Sequence, residues 1–153
     1  MKKLVTRIVV AVLALLVIVF VAIQFVPVNR SNPPVVAEPP WDSPQTRALA
    51  ERACFDCHSN QTRWLWHSYI APFSWLEARD VQQGRRKLNF SDWRPGRENE
   101  SAEVIQRGSM PPQLYLLMHP EARLTGAEKQ SLIAGLNATL GPGEGGGGRG
   151  GDD

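Results

Sequence analysis

The chain contains few cysteines, little excess of either charge and no segment with a pattern typical of a β-strand. Only two of its 153 residues are cysteine, Cys54 and Cys57, so no second cysteine pair exists to complete a four-cysteine metal site. The formal net charge is +2 and no basic patch stands out, so nucleic acid is not an expected partner. The short cationic run at residues 85–87 is interpreted as a solvated helix end, with pairing to an acidic group as the alternative. No segment alternates polar and apolar residues and no repeat is evident, which predicts an all-α fold.

One long apolar run stands near the N-terminus. Every residue from Ile8 to Ile23 is Ile, Val, Ala, Leu or Phe, and the run has no polar face. About 20 residues at about 1.5 Å each cross a hydrocarbon core about 30 Å thick. Residues 1–28 are therefore predicted to be a membrane anchor that contacts the bilayer through residues 4–28. A cleaved signal peptide is the alternative, but it would have a shorter run and a small-x-small site.

The charges around this run predict its orientation. Lys2, Lys3 and Arg7 precede the apolar residues, and only Arg30 follows them closely. The positive-inside rule then keeps the N-terminus in the cytoplasm and places the rest of the chain on the other side.

Composition divides the remainder into three parts. Residues 29–40 contain four prolines and are predicted to form a stiff, extended spacer. Residues 41–140 are long enough for a modest core and are predicted to be the folded domain. Residues 141–153 are rich in glycine and are predicted to form a disordered tail.

Four helices are predicted within the folded domain. Ser43 followed by Pro44 is typical of a helix start, and Thr125 with Glu128 has the pattern of a capping box. Gly108 stands where a helix would stop. The predicted helices cover about residues 44–54, 72–84, 98–107 and 126–140.

The most specific motif is Cys54-Phe55-Asp56-Cys57-His58, the C-x-x-C-H pattern of c-type haem attachment. Two thiols on one helical turn can reach the vinyl groups on one side of a porphyrin and form thioethers with them. The adjoining histidine can then ligate the iron. The motif predicts one haem c held covalently through Cys54 and Cys57, with His58 as the proximal ligand.

Three other interpretations of the motif stay open at this point. A thioredoxin-like redox pair lies between a strand and a helix, and no βαβ pattern surrounds this one. A structural zinc would need further ligands, for which only His58, His67 and His119 remain. A plain disulfide across two intervening residues would close too short a loop to stabilise the fold much.

The second axial position of the iron has several candidate ligands downstream. Met110 is followed by two prolines, and a methionine thioether is the usual partner of histidine in electron-transfer cytochromes. His119, before another proline, is the alternative, because imidazole is a strong iron ligand. Met118 is interpreted as a packing residue, and His67 as a surface or packing residue. An open sixth position is the remaining alternative.

An ordered series of segments accompanies the motif, at residues 54–62, 64–66, 70–72, 74–76, 84–85, 88–91, 110–112 and 119–122. Over about residues 41–140 this series resembles the small bacterial haem-binding-domain family of membrane-anchored monohaem c-type cytochromes. The resemblance implies a haem bound through Cys54 and Cys57, His58 as its proximal ligand and Met110 as its distal one. Leu65 and His67 stand where the family pattern leads us to expect proline and tyrosine.

The expected function follows from the motif, the anchor and the resemblance together. We expect a single-pass protein of the bacterial inner membrane, with a cytochrome-c-like helical domain facing the periplasm or the cell exterior. It would transfer single electrons between unidentified redox proteins and would not be an enzyme. A haem-based ligand sensor or a small haem enzyme with an open sixth site is the alternative. A peroxidase would need an acid–base group such as His119 or Arg107 over the iron, and no spacing singles one out.

Overall fold

Helices make up the regular structure of the chain. A computed structural model describes residues 1–95 and 100–141, and these residues form seven α-helices and two 3-10 turns without a strand. The helices are α1 Lys2–Ile23, α2 Pro44–Ala53, α3 Phe55–His58, α4 Phe73–Lys87, α5 Ser101–Gln106, α6 Gln113–Met118 and α7 Gly126–Leu140, and the 3-10 turns are Trp66–Tyr69 and Pro120–Ala122. The predicted all-α fold is confirmed. The predicted tail lies outside the described residues, apart from Gly141.

The apolar run forms α1, a helix with no buried residue. At about 1.5 Å per residue its 22 residues measure about 33 Å, and the helix is long and apolar enough to cross a membrane. The prediction of one such helix at the N-terminus is confirmed.

Local sequence determines where α2 and α7 begin. The Ser43 hydroxyl accepts a hydrogen bond from the Thr46 N–H at 3.1 Å, ahead of Pro44 in the first turn. At the start of α7, Thr125 and Glu128 exchange the two hydrogen bonds of a capping box, at 2.7 and 3.2 Å. Both helices therefore begin where their caps predict.

The end of α4 differs from its prediction. The helix was expected to stop near Gly84, but it continues to Lys87. Gly84 is buried inside the helix against the main chain of Cys57, where any Cβ atom would overlap the Cys57 carbonyl. This glycine permits close packing between α4 and α3 and does not end the helix.

Gly108 ends α5 as predicted. Its φ is 72°, and its N–H donates to the Ile105 carbonyl at 3.0 Å. The next N–H, from Ser109, returns to the Val104 carbonyl at 3.0 Å, which completes a Schellman motif. The predicted start of this helix, near residue 98, lies outside the described residues. The short helix α6 was not predicted, because its six residues carry no side-chain cap.

The core lies where α2, α5 and α7 pack together. At one side of it the rings of Trp41, Phe55 and Phe90 contact one another, with centroids 5.2 to 6.2 Å apart. The buried apolar residues of the core are Leu49, Ala50, Ala53, Phe55, Phe90, Ile105, Leu124, Leu132 and Leu136. Because Phe55 belongs to α3, this core also supports the C-x-x-C-H turn.

Residues 29–37, which we call the strap, contain no helix and lie on the surface of the domain. Hydrogen bonds join Arg85 to the Ser31 carbonyl (2.9 Å) and to Asn32 Oδ1 (2.8 Å), Asn60 Nδ2 to the Pro34 carbonyl (2.9 Å), and the Val36 N–H to the Ser91 carbonyl (2.8 Å). An isolated parallel bridge pairs Ala37 with Asp92. The segment predicted as a spacer, residues 29–40, is thus bonded to the domain from Ser31 to Ala37.

Candidate functional site

One large cavity opens beside the C-x-x-C-H turn, and α4, α5 and α6 contribute to its wall. Its volume is about 1330 Å³, against roughly 300–1,000 Å³ for ordinary ligand pockets. The wall brings together all five residues predicted to hold or ligate a haem, namely Cys54, Cys57, His58, Met110 and His119. The cavity therefore has room for a group of porphyrin size next to the predicted attachment residues.

The C-x-x-C-H motif is folded into a single helical turn. The His58 and Cys57 N–H groups both donate to the Cys54 carbonyl, at 2.9 and 3.2 Å. Cys54 lies at the N-cap of α3 and Cys57 within it, and both line the cavity. Two thiols in this arrangement can reach the same edge of one ligand.

The imidazole of His58 is oriented by the main chain of α4. Its Nδ1 lies 3.1 Å from the Gly84 carbonyl and 3.1 Å from the Leu88 carbonyl. Because both partners are acceptors, Nδ1 carries the proton and Nε2 keeps its lone pair for a metal. Burial lowers the pKa of His58, which favours the neutral form that ligates iron.

The two thiols differ from those of a redox or zinc site. Burial raises the pKa of Cys54 and that of Cys57 to about 12, and neighbouring Asp56 adds to the shift of Cys57. Disulfide-exchange cysteines have a lowered pKa, and zinc binds thiolates. Both cysteines are free, and residues 1–95 and 100–141 contain no group of three or more His, Cys, Asp or Glu side chains able to hold a metal ion. The raised thiol pKa does not fit a disulfide-exchange pair, and no further metal-ligating side chains join these cysteines within residues 1–95 and 100–141.

Met110 lies just after the turn that ends α5, and it lines the cavity. Its N–H donates to the Val104 carbonyl at 3.2 Å, beside the Schellman bonds that Gly108 makes possible. Its side chain is 38% exposed and lines the cavity. Met118, at the end of α6, lines the same cavity and is 37% exposed. Position and exposure therefore do not separate the two methionines.

His119 and His67 are both buried in the cavity wall. The His119 ring stacks on Tyr115 with centroids 4.0 Å apart, and it meets the His67 ring edge-on at 5.5 Å. Its Nδ1 lies 3.1 Å from the Tyr115 carbonyl, while the Nδ1 of His67 lies 3.1 Å from Glu77 Oε2. The Nε2 atoms of both histidines are buried and make no hydrogen bond, although that of His119 lies 3.9 Å from Asp56 Oδ2. His67 is thus a wall residue and not a surface one.

The donor set of the cavity wall tests whether the cavity suits a haem. Two thiols on one helical turn can form thioethers with a porphyrin, and the His58 Nε2 keeps a lone pair that can ligate iron. Met110 and Met118 add thioether sulfurs to the same wall. The residues that line the cavity therefore fit this cofactor.

A polar network around Asp56 was not predicted. The Asp56 carboxylate accepts hydrogen bonds from the Tyr115 hydroxyl at 2.8 Å and from the Arg63 guanidinium at 3.0 Å. Burial raises the pKa of Tyr115, and the negative charge of Asp56 adds to the shift. Arg63 also pairs with Glu121 at 3.1 Å. Asp56 occupies a variable position of C-x-x-C-H, so no sequence signal could have pointed to it.

Some aromatic residues line the cavity and others are exposed on the surface, and the sequence does not distinguish them. Phe73, Phe90, Trp93 and Tyr115 line the cavity. Trp66 and Tyr69 are instead exposed on the surface, at 71% and 60%.

A family model described as a haem-binding domain matches residues 18–138, well over half of the chain. The matched segment begins within α1 and includes the strap, the cavity residues and most of α7. No curated protein and no solved structure matches the chain.

Proposed function

Because the chain belongs to the haem-binding-domain family, we propose that it is a membrane-anchored monohaem c-type cytochrome that transfers single electrons. The observation that carries the proposal is the C-x-x-C-H turn beside the cavity. Cys54, Cys57 and His58 share one helical turn, and the His58 Nδ1 is held by main-chain carbonyls. This arrangement supports covalent attachment through the thiols and iron ligation through the free imidazole nitrogen.

The protonated state of the thiols suits thioether formation. Each thiol would add its sulfur and its hydrogen across one vinyl double bond, so the step balances without an oxidant. The raised pKa of Cys54 and of Cys57 keeps both groups in the thiol form at neutral pH. It also keeps them from premature disulfide exchange, which proceeds through the thiolate.

We propose that the His58 imidazole and the Met110 thioether would hold the iron, as the resemblance to the family implies. An iron held by histidine and methionine exchanges one electron without opening a site for substrate, and methionine raises its reduction potential. The His119 ring is enclosed between Tyr115 and His67, which supports a role in the wall. With both axial positions filled by side chains, the protein would not act as an enzyme.

The anchor would hold the domain at the outer face of a bacterial inner membrane. Lys2, Lys3 and Arg7 precede α1, which supports a cytoplasmic N-terminus and a periplasmic or external domain. Tethering raises the effective concentration of the domain beside other proteins of that membrane. Its redox partners would accordingly be membrane-bound or close to the membrane.

The direct test is the reduced absorption spectrum of the full chain, made in a host with haem c maturation, with and without carbon monoxide. We expect a low-spin c-type spectrum that the gas does not change. A preparation without covalent haem would contradict the proposal.

A second function, ligand sensing or small-molecule catalysis, has one observation in its favour. His67 and His119 both line the cavity, so their two imidazole side chains could interact with a small ligand bound there. This function requires an open or displaceable sixth position. Rapid carbon monoxide uptake by an intact c-type haem would favour it over electron transfer.

A further inference from the structure

Five exposed apolar side chains cluster in sequence around the Trp66–Tyr69 turn. Their exposed fractions are 37% for Leu65, 71% for Trp66, 60% for Tyr69, 37% for Ile70 and 49% for Phe73. Trp66 and Tyr69 are three residues apart in a 3-10 turn, so they lie on one face of it. We call these five residues the aromatic surface. Large apolar groups left in water at this density indicate a contact that the domain alone does not make.

The aromatic surface is bonded to the end of α1. Gln24, the residue that follows α1, accepts a hydrogen bond from the Ala71 N–H at 2.8 Å and donates one to the Ala71 carbonyl at 3.3 Å. Arg30 donates to the Ser68 carbonyl at 3.1 Å, and its guanidinium lies 4.5 Å from the centre of the Tyr69 ring. The segment is thus fixed beside the point where α1 ends.

The length of α1 sets the depth of that point in a membrane. The 20 residues from Leu4 to Ile23, which follow the charged Lys2 and Lys3, measure about 30 Å, the thickness of the hydrocarbon core. When they span the bilayer, Gln24 lies at the boundary with the opposite headgroup layer. Ala71, bonded to Gln24, must then lie at a similar depth.

The chemistry of the surface suits that layer. Tryptophan and tyrosine concentrate at membrane interfaces, where the ring contacts acyl chains and the polar atom contacts water or headgroups. Residues 57–76 contain no Asp or Glu, so no carboxylate in this stretch would repel anionic headgroups. Arg30, over the Tyr69 ring, adds a cation at the same place.

We propose that the aromatic surface lies in the headgroup layer of the membrane that α1 spans. The proposal rests on the proposed membrane anchoring and adds to it a fixed orientation of the domain. Phe73 belongs both to this surface and to the cavity wall, and buried His67 stands within the same 3-10 turn. One wall of the cavity would therefore face the lipid surface, within reach of a redox partner embedded in the same membrane.

The test is lipid photolabelling of the full haem-loaded chain in nanodiscs of phosphatidylethanolamine and phosphatidylglycerol. A phospholipid with a diazirine at headgroup depth labels nearby residues, which mass spectrometry identifies. Phe25, next to α1, is the positive reference. Ala134 and Ala138 are the negative one, because they are exposed on α7, which packs on α2 and α5 and not on the 3-10 turn. We expect labelling of Trp66 and Tyr69 within about threefold of Phe25, and about tenfold above the α7 residues.

Each other outcome has a distinct meaning. If Phe25 is labelled but Trp66 and Tyr69 are labelled no more than the α7 residues, the proposed orientation is wrong and the anchoring stands. The aromatic surface would then be available to a protein partner. Absence of label from α1 and Phe25 would overturn the anchoring and the orientation together.

A pair of variants provides a second readout in the same nanodiscs. Trp66→Ser combined with Tyr69→Ser should reduce the labelling of Phe73 by about threefold or more, because the interfacial side chains are gone. Ala134→Ser combined with Ala138→Ser should leave it unchanged. All four positions are exposed, so none of these changes disturbs the core. Equal labelling of Phe73 in both variants would contradict the proposal.

Discussion

Among single residues, His58 and His119 have the same local geometry. The Nδ1 atom of each lies 3.1 Å from a main-chain carbonyl, which leaves Nε2 with a lone pair. The two residues differ in the groups that hold each imidazole ring in place. His58 directly follows Cys57 and is fixed by two carbonyls of α4, whereas the His119 ring is enclosed by Tyr115 and His67. The enclosed ring would have to leave its stacking partner to approach an iron freely, and Met110 would not.

Met110 and Met118 form a matched pair for testing the distal ligand. We expect Met110→Ala to lower the reduction potential by on the order of 100 mV, since axial ligands tune haem potentials over about 0.8 V. The same variant should bind carbon monoxide. Met118→Ala, from an equally exposed position on the same cavity wall, should change neither property. Potentiometric titration and the reduced spectrum with the gas measure both effects. If Met110→Ala has no effect and His119→Gln opens the iron, His119 is the ligand.

Glu128 gives the stability of the domain a specific pH dependence. Hydrogen bonds from the Thr125 N–H and then from Arg52 lower the pKa of Glu128 to about 2, from an ordinary value of 4.5. The ionised form therefore stabilises the folded state at neutral pH, and this contribution is lost as the pH falls from about 4.5 to about 2. At pH 7 we expect Glu128→Gln to have a lower denaturation midpoint than the wild type. Near pH 2, where the contribution is lost, the two midpoints should be equal.

Denaturant titrations at several pH values measure this effect. Glu51→Gln, which removes an exposed carboxylate paired with Arg47 on α2, is the control. A constant difference between Glu128→Gln and the wild type across the whole pH range would contradict the assignment.

At the level of helices, two glycines determine how closely neighbouring elements pack. Gly84 brings α4 against the main chain of Cys57, and Gly135 brings α7 against Thr46 of α2. Both lie inside helices, where glycine is intrinsically unfavourable by about 1 kcal/mol. Their cost is offset by contacts that no other residue would allow. Only the first of these two packing contacts belongs to the candidate site.

The two glycines therefore predict different outcomes for the same substitution. Gly84→Ala and Gly135→Ala should each lower the free energy of unfolding by about 1–3 kcal/mol, the usual cost of overpacking. Only Gly84→Ala should also reduce covalent haem incorporation, because it displaces Cys57 and the carbonyl that orients His58. Denaturant midpoints and haem content per chain separate the effects. Equal haem content in the two variants would show that this close contact does not shape the site.

Local signals were predictable from the sequence, and contacts between distant residues were not. The caps at Ser43 and Thr125 and the C-x-x-C-H turn depend on residues within a few positions of each other. The Tyr115–Asp56 hydrogen bond joins residues 59 positions apart, and no local pattern encodes it. Gly84 shows the same limit, because a glycine near an expected helix end is locally indistinguishable from one that permits close packing.

At the level of the whole molecule, the strap connects the membrane helix to the candidate site. Arg85 is its main side-chain support. Its guanidinium bonds to the strap at Ser31 and Asn32, and to the domain at the Ser59 carbonyl (2.7 Å) and Thr62 Oγ1 (2.9 Å). The interpretation of residues 85–87 as a solvated helix end is therefore wrong for Arg85. Ser59 and Thr62, to which Arg85 also donates, lie in the loop that directly follows His58. Arg85 therefore connects the strap to the loop after the C-x-x-C-H motif.

The strap is expected to loosen when Arg85 is replaced. In Arg85→Ala the hydrogen bonds to Ser31 and Asn32 disappear, so local opening of residues 29–37 should require less free energy. Amide exchange at Val36, whose N–H donates to the Ser91 carbonyl, should accelerate by about tenfold or more. Arg86→Ala, which removes the neighbouring exposed cation, should leave that rate unchanged.

Hydrogen exchange of the full chain in nanodiscs, read by mass spectrometry, measures this difference. If the strap also helps to fix the domain on the membrane, Arg85→Ala should weaken lipid photolabelling of Trp66 and Tyr69 as exchange in the strap rises. Faster exchange without loss of labelling would mean that the two hydrogen bonds between Gln24 and Ala71 suffice to orient the domain. Unchanged exchange would mean instead that the main-chain bonds at Val36 and Ala37 hold the strap without Arg85.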